Sequence, residues 1–192
     1  MIRFLKYIII GMLIFFTNTA SVTAQEWTGN VNFQLGARTM ADKTDWEPLE
    51  DQTMFGINVD FGKESWIVRP VIGFSGSKKE DTILGGIAVT GRTSEFSIGV
   101  LKDWEVGPMH PFLSAGLSSI RAEVEAASGG IAVSDSDNSS GLFLDAGIYW
   151  RLGKSFNLGF DLRSLGGTDV TLFGVKGNAD YGQFALLLGW GW

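Results

Sequence analysis

The chain has no cysteine, one histidine and four prolines among its 192 residues. Without cysteine there is no disulfide framework, no thiolate metal site and no cysteine nucleophile. The cysteine that a lipoprotein anchor needs at the mature N-terminus is missing too. Basic side chains are outnumbered: 15 Lys and Arg stand against 21 Asp and Glu, a net charge of -6. A nucleic-acid partner is excluded on that balance, because phosphates call for a net basic surface.

Long apolar helical segments are also lacking. The apolar run from Tyr7 to Phe16 falls short of the ~20 residues that a membrane-crossing helix needs. It follows Arg3 and Lys6 and precedes the small-residue site Val22-Thr23-Ala24. That order is a secretory signal peptide over residues 1–24, with the mature chain beginning at Gln25. Setting Arg3 and Lys6 aside leaves 13 basic residues against 21 acidic ones, a balance of -8.

Glycine and aromatics are plentiful: 26 Gly, 14 Phe and 7 Trp, a vocabulary unlike that of a soluble α/β domain. After Gln25, apolar residues recur with a period of two rather than at helical spacing, which predicts an all-β domain over residues 25–192. Val31, Phe33, Leu35 and Ala37 alternate with Asn32, Gln34, Gly36 and Arg38. Phe55, Ile57, Val59 and Phe61 alternate with Met54, Gly56, Asn58 and Asp60. A third strand runs from Trp66 to Ser75, with Pro70 marking a bulge or kink, and a fourth covers Glu95 to Val100. The fifth runs from Pro111 to about Val124, with a change of parity at Ile120 that suggests a bulge or a stretch above a membrane. Leu142 to Leu152, Phe156 to Arg163 and Gln183 to Trp192 complete eight strands.

The connections alternate in length. Gly62 to Ser65, Glu105 to His110 and Gly153 to Ser155 are short. Met40 to Gln52, Gly76 to Arg92, Glu125 to Ser140 and Gly166 to Asp180 are long and polar or glycine-rich, although Ile83 to Val89 also fits a strand extended above a bilayer. Short periplasmic turns, long external loops and both termini on the periplasmic side are the rhythm of an eight-stranded antiparallel up-and-down transmembrane β-barrel in a bacterial outer membrane.

The small face carries Asn32, Gln34, Asn58, Asp60, Arg69, Asp145, Arg151, Asp161 and Arg163. Such a face cannot line the dry cavity of a lipocalin-like carrier, whereas side chains just fill a barrel of this size. Asp60 with Arg69, and Asp145 (roughly across from Leu162) with Asp161 and Arg163, are therefore expected to pair inside, because unpaired charge there is costly. Arg151 belongs to the same inner network. Trp66, Trp104, Trp150, Trp190 and Trp192 fall near the periplasmic strand ends, where an aromatic girdle is expected. Trp46, set among Asp42, Lys43, Asp45 and Glu47, reads either as an exposed anchor for a surface partner or as part of the outer girdle.

Pro111-Phe112-Leu113-Ser114-Ala115-Gly116-Leu117, Phe156-Asn157-Leu158-Gly159-Phe160-Asp161 and the aromatic end at Trp190 and Trp192 resemble the small outer-membrane barrels of the OmpA-like, OmpX and OmpW type. The resemblance covers Trp27 to Trp192. It implies insertion by the barrel-assembly machinery, which reads the last strand, although Ala185 and Leu187 stand where a polar residue and a glycine are usual. It also implies a setting of outer-membrane lipid and lipopolysaccharide, and a monomer.

Some barrels of this size modify lipid A. Such a hydrolase would need a histidine and a serine together on the lipid-facing wall, but Ser114 points inward and His110 reads as a solvated turn residue. Asp135-Ser136-Asp137-Asn138 lacks the glycine and distal glutamate of a calcium loop. Gly85-Gly86 and Gly129-Gly130 read as turns rather than phosphate cradles. No cofactor and no enzymatic activity are expected. The leading expectation is a structural or surface-interacting barrel with an unknown surface partner. Passive transport of small apolar molecules, as in OmpW-type barrels, is the alternative, and lipid A modification a weaker one.

Overall fold

The computed structural model describes residues 27–83 and 85–192. The expected signal peptide, residues 1–24, and the expected mature start at Gln25 lie outside the described residues. Ten strands form: β1 (Trp27–Met40), β2 (Asp51–Lys63), β3 (Arg69–Ile83), β4 (Ile87–Asp103), β5 (Met109–Ser128), β6 (Ile131–Leu152), β7 (Phe156–Gly166), β8 (Val170–Leu172), β9 (Val175–Gly177) and β10 (Tyr181–Gly191). A single helical turn, α1 (Lys43–Trp46), lies between β1 and β2. Its start is capped by Asp42, whose carboxylate accepts from the backbone N–H groups of Thr44 and Asp45. Among the described residues no helix is long and apolar enough to cross a membrane.

Eight of the strands close into one antiparallel barrel in the order β1, β10, β7, β6, β5, β4, β3, β2. Each strand neighbours its successor, β8 and β9 forming a separate small hairpin, and closure is made by the first strand on the last, from Asn30 against Gly191 to Met40 against Tyr181. The start of β1 and the last residue sit together with the short turns: Gly29 and Trp192 exchange backbone hydrogen bonds of 3.3 and 3.1 Å. Phe33, Leu35, Phe55, Phe74, Phe96 and Ile98 stand on the outside, while Asn32, Gln34, Ser75, Glu95 and Ser97 on the same strands are buried inside. Exposed apolar residues outside and buried polar ones inside are the reverse of a soluble barrel and fit a lipid-facing wall.

The inner face is small where large rings need the space. Gly99 and Gly116 are register partners on β4 and β5, and the Phe143 ring rests on both. A Cβ at either position would come within 2.8 Å of that ring.

Several sequence expectations need correction. Gly76–Arg92 and Glu125–Ser140 are strand rather than loop: β3 pairs with β4 up to Ile83 against Ile87, and β5 with β6 up to Ser128 against Ile131. Their turns are held by Gly85, Gly86, Gly129 and Gly130, all at positive φ, as tight hairpins of right-handed twist require. The change of parity at Ile120 is not a bulge, for the register runs through it unbroken on both sides. Ile120, Ala122 and Val124 still point inward, and Arg121, Glu123 and Glu125 outward. What changes is the surroundings: outward Leu113 and Leu117 give way to charged Arg121 and Glu123, and the loops supply an apolar lid inside.

Pro70 causes no bulge either. It is the second residue of β3, pairs with Val100, and lies just beyond the last residue paired with β2, Val71, the kind of strand-end position that tolerates proline. Trp66, Ile67 and Val68 precede β3 and belong to the turn, where they are exposed. His110 is in β5 rather than in a turn, and is buried.

Because Leu186 lies outside at mid-height between Leu35 and Phe160, Leu186→Arg is expected to cost about 2–4 kcal/mol in a bilayer. Urea unfolding of the barrel refolded into lipid vesicles measures this, and a loss near zero would show that this face does not meet lipid.

Candidate functional site

Three layers occupy the inside of the barrel. The middle layer is built on Arg38 of β1, which is fully buried. Its guanidinium donates to Glu95 of β4 at 3.0 Å, to Thr93 at 2.7 Å, and to Ser75 and Gln183 at 2.8 Å each, and it lies 3.8 Å over the Tyr181 ring. The other oxygen of Glu95 accepts from Arg163 of β7 at 2.6 Å and from Ser118 of β5 at 2.7 Å. Arg163 also donates to the Tyr181 hydroxyl at 3.1 Å, stacks 3.9 Å over Phe143, and leaves Tyr181 to donate to Glu95. One carboxylate thus binds two guanidiniums that reach it from different walls. Such charge-assisted bonds are the strong ones, and a buried pair persists only when its remaining hydrogen-bonding groups are met.

Below it, toward the short turns, Asp161 accepts from Gln34, and Asp145 accepts from Ser114 at 3.2 Å. Arg69 contacts Asp60 at 3.0 Å and Asp103 at 2.9 Å. Arg151 donates to Asn30 at 2.6 Å and to Asn157 at 3.2 Å. The His110 ring stacks on Tyr149 at 4.8 Å, and the Tyr149 hydroxyl donates to Asp103.

The expected inner network is therefore rearranged. Arg163, not Leu162, stands across from Asp145, yet its closest carboxylate is Glu95. Arg38, Glu95, Tyr181 and Gln183 complete the middle layer, and they are the residues that sequence reasoning missed. Arg38 and Glu95 both lay on the inward parity of their strands. What parity omits is the height at which residues three strands apart meet across the barrel.

The upper layer is apolar. Met40, Leu49, Val89, Ile120, Leu165 and Val170 form one buried cluster where the β1–β2 loop and the β7–β10 connection fold over the mouth. Trp46 belongs to this cluster, only 4% exposed, with its indole N–H donating to the Asn178 carbonyl at 2.8 Å. It is thus neither an exposed anchor nor part of an outer girdle, because a buried ring reaches neither a partner nor lipid. The β8 strand is tied down by side chains: the N–H groups of Asp169, Thr171 and Phe173 donate to Ser139, Asp137 and Asp135 of β6 at 2.9, 2.8 and 2.6 Å. Above the cluster lies an open cleft of about 440 Å³, floored by Leu49, Val89 and Val170 and rimmed by Phe173, Val175 and Glu47.

At the opposite end Trp66, Trp104, Trp190 and Trp192 are exposed, Trp27 lies edge-on to Trp66 at 5.8 Å, and Trp150 is half-buried against Phe160 at 6.2 Å. Among the described residues there is no group of three or more His, Cys, Asp or Glu placed to hold a metal ion.

No family model and no curated sequence matches the chain. Solved structures do. The outer membrane protein OprG from Pseudomonas aeruginosa superposes with a TM-score of 0.64 at 8% identity, over 90% of this chain and 99% of its own. A major outer membrane protein from Thermus thermophilus gives 0.58 at 11%, over 86% and 99%. Ail, the attachment invasion locus protein of Yersinia pestis, in complex with the heparin analogue sucrose octasulfate, gives 0.55 at 13%, over 87% and 98%. At these identities the likeness is one of fold: the chain has the architecture of the small outer-membrane β-barrels.

Since Glu95 is the shared counter-charge of Arg38 and Arg163, Glu95→Gln leaves two buried guanidiniums without it. The barrel is expected to lose about 3–5 kcal/mol, read from urea unfolding in vesicles. A loss below about 1 kcal/mol, the size of a surface pair, would show that the cluster does not hold the walls together.

Proposed function

We propose that the chain is an outer-membrane barrel whose interior is closed and whose work is done at its outer mouth, by contact with a surface partner rather than by conduction or catalysis. The observation that carries this reading is the Arg38–Glu95–Arg163 cluster, which joins β1, β4 and β7 across the interior. The apolar cluster above it, from Met40 to Tyr181, adds a second closed layer. Both layers are made of well-packed, mutually bonded side chains, as a barrel of eight strands allows.

Residues 1–24 are read as the cleaved leader that delivers the chain, and the barrel-assembly machinery as the device that inserts it. The tryptophans at the short-turn end are read as the girdle on the periplasmic side, with lipopolysaccharide around the outer rim. A non-enzymatic role is supported by the orientation of His110 and Ser114. The first is stacked on Tyr149 and the second donates to Asp145, so neither is offered to a lipid on the outer wall. The outer mouth is acidic, with Asp42, Asp45, Glu47, Asp135 and Asp169 against Lys43 and Lys176. That charge disfavours a sulfated polyanion as the partner.

Planar-bilayer recordings of the refolded protein are expected to show no stable conductance step, and lipid A mass spectra to be identical in cells with and without the protein. Reproducible unitary currents would overturn the closed interior; a changed lipid A would overturn the non-enzymatic reading.

A further inference from the structure

The outer cleft lies above the closed layers and is separate from the interior. Its floor, Leu49, Val89 and Val170, is the top of the buried apolar cluster. Its volume of about 440 Å³ lies within the range of small-molecule sites. The lining is dominated by carbon: Pro48, Val124 and Leu172 extend the floor, and Phe173 and Val175 stand exposed at the edge.

Phe173 is the one non-glycine residue with positive φ among the described residues, at 51°. That backbone is costly for an aromatic residue and persists only where its surroundings fix it. Here the Phe173 N–H donates to the Asp135 carboxylate at 2.6 Å, so the ring is held at the rim of the cleft, half-exposed rather than packed away. Phe173 and Val175 thus present apolar surface to water at the rim of the cleft.

The polar groups at the rim set the sign of the occupant. Asp45 and Glu47 line the cleft and are exposed, while Lys176 is the one basic residue in the lining. Beyond them Asp42, Asp135, Asp137 and Asp169 add negative charge, against Lys43 and Arg121, which donates to Ser136 between Asp135 and Asp137. An apolar body therefore enters most favourably with a cationic end directed to Asp45 and Glu47.

We infer that this cleft is a binding site for a small amphiphilic cation, an apolar or aromatic body carrying a single ammonium group, which binds at the outer mouth without crossing the barrel. The inference rests on the reading that the interior is closed and the outer mouth is the working end.

The test uses the full barrel in lipid nanodiscs and three probes of one shape: 4-phenylbutylamine, 4-phenylbutanol and 4-phenylbutanoate. Binding is read from the NMR signals of the Trp46 indole N–H and the Phe173 amide. The amine is expected to shift both saturably and to bind roughly fivefold to tenfold more tightly than the alcohol, the size expected of two partly exposed carboxylates; the carboxylate should bind least. In Asp45→Asn/Glu47→Gln the amine should fall to the level of the alcohol, while Val175→Trp, which fills the cleft from its rim, should weaken both. Neither change touches the barrel wall, and an unaltered spectrum of strand amides together with heat-modifiable gel migration verifies the fold.

Equal binding of the three probes, shifts confined to outward-facing strand residues, or no shift at all would overturn the inference. Such a result with no conductance retires the ligand and leaves the closed barrel standing. Unitary currents across a bilayer retire the reading beneath it.

Discussion

Everything in this molecule follows from the hydrogen bonding of β1 to β10. A sheet in lipid has no water to satisfy free N–H and C=O groups, so an open edge is not tolerated. Eleven register pairs between Asn30 and Met40 on one strand, and Gly191 and Tyr181 on the other, remove both edges together. Once the sheet is closed, period-two alternation leaves one face for lipid and one for a narrow interior. That interior must then be filled by side chains that satisfy one another. The small glycine-rich inner face, the rings of Phe112 and Phe143 laid over glycines and the shared carboxylate of Glu95 are successive consequences of that one constraint.

The alternation does not end where the lipid does; its chemistry inverts. Along β5, inward Ser114 and Ser118 give way to Ile120 and Ala122, while outward Leu113 and Leu117 give way to Arg121 and Glu123. The same backbone geometry therefore serves a polar interior at mid-height and an apolar one at the mouth. The loop residues Trp46, Leu49 and Val170 are the complement that makes the second arrangement stable, by taking its apolar surface out of water.

How far the sequence could be read depended on the range of each interaction. Faces such as Phe55, Ile57 and Val59 against Asn58 and Asp60 are local, and period two alone assigns them. Asp60 and Arg69 meet across a single turn, and spacing along the chain still carries that geometry. Glu95 and Arg163 belong to strands on different walls, and no spacing relates them. The segments from Gly76 to Arg92 and from Glu125 to Ser140 read as loops because they are polar or glycine-rich, and an apolar outside marks a strand only where it faces lipid. His110 reads as a solvated turn residue, and Trp46 as a surface anchor or a girdle residue, for a related reason: each stands beside polar or turn-forming neighbours, while the partners that bury it, Tyr149 and Asn178, are distant in sequence.

A slip of one residue at the closing seam would turn every side chain to the wrong face. A slip of two would not, since each residue would keep its side of the sheet and its class of environment. Arg38 sits on the first strand of the seam and Tyr181 and Gln183 on the last, while Glu95 stands on a wall away from it. Displacing the seam by two residues would carry Arg38 about 7 Å along the barrel relative to the last strand, away from Gln183 and the Tyr181 ring, while β2 and β3 keep it in register with Glu95. The buried cluster therefore acts as a gauge of barrel shear: it distinguishes the native seam from the only nearby misclosures that hydrophobic patterning accepts.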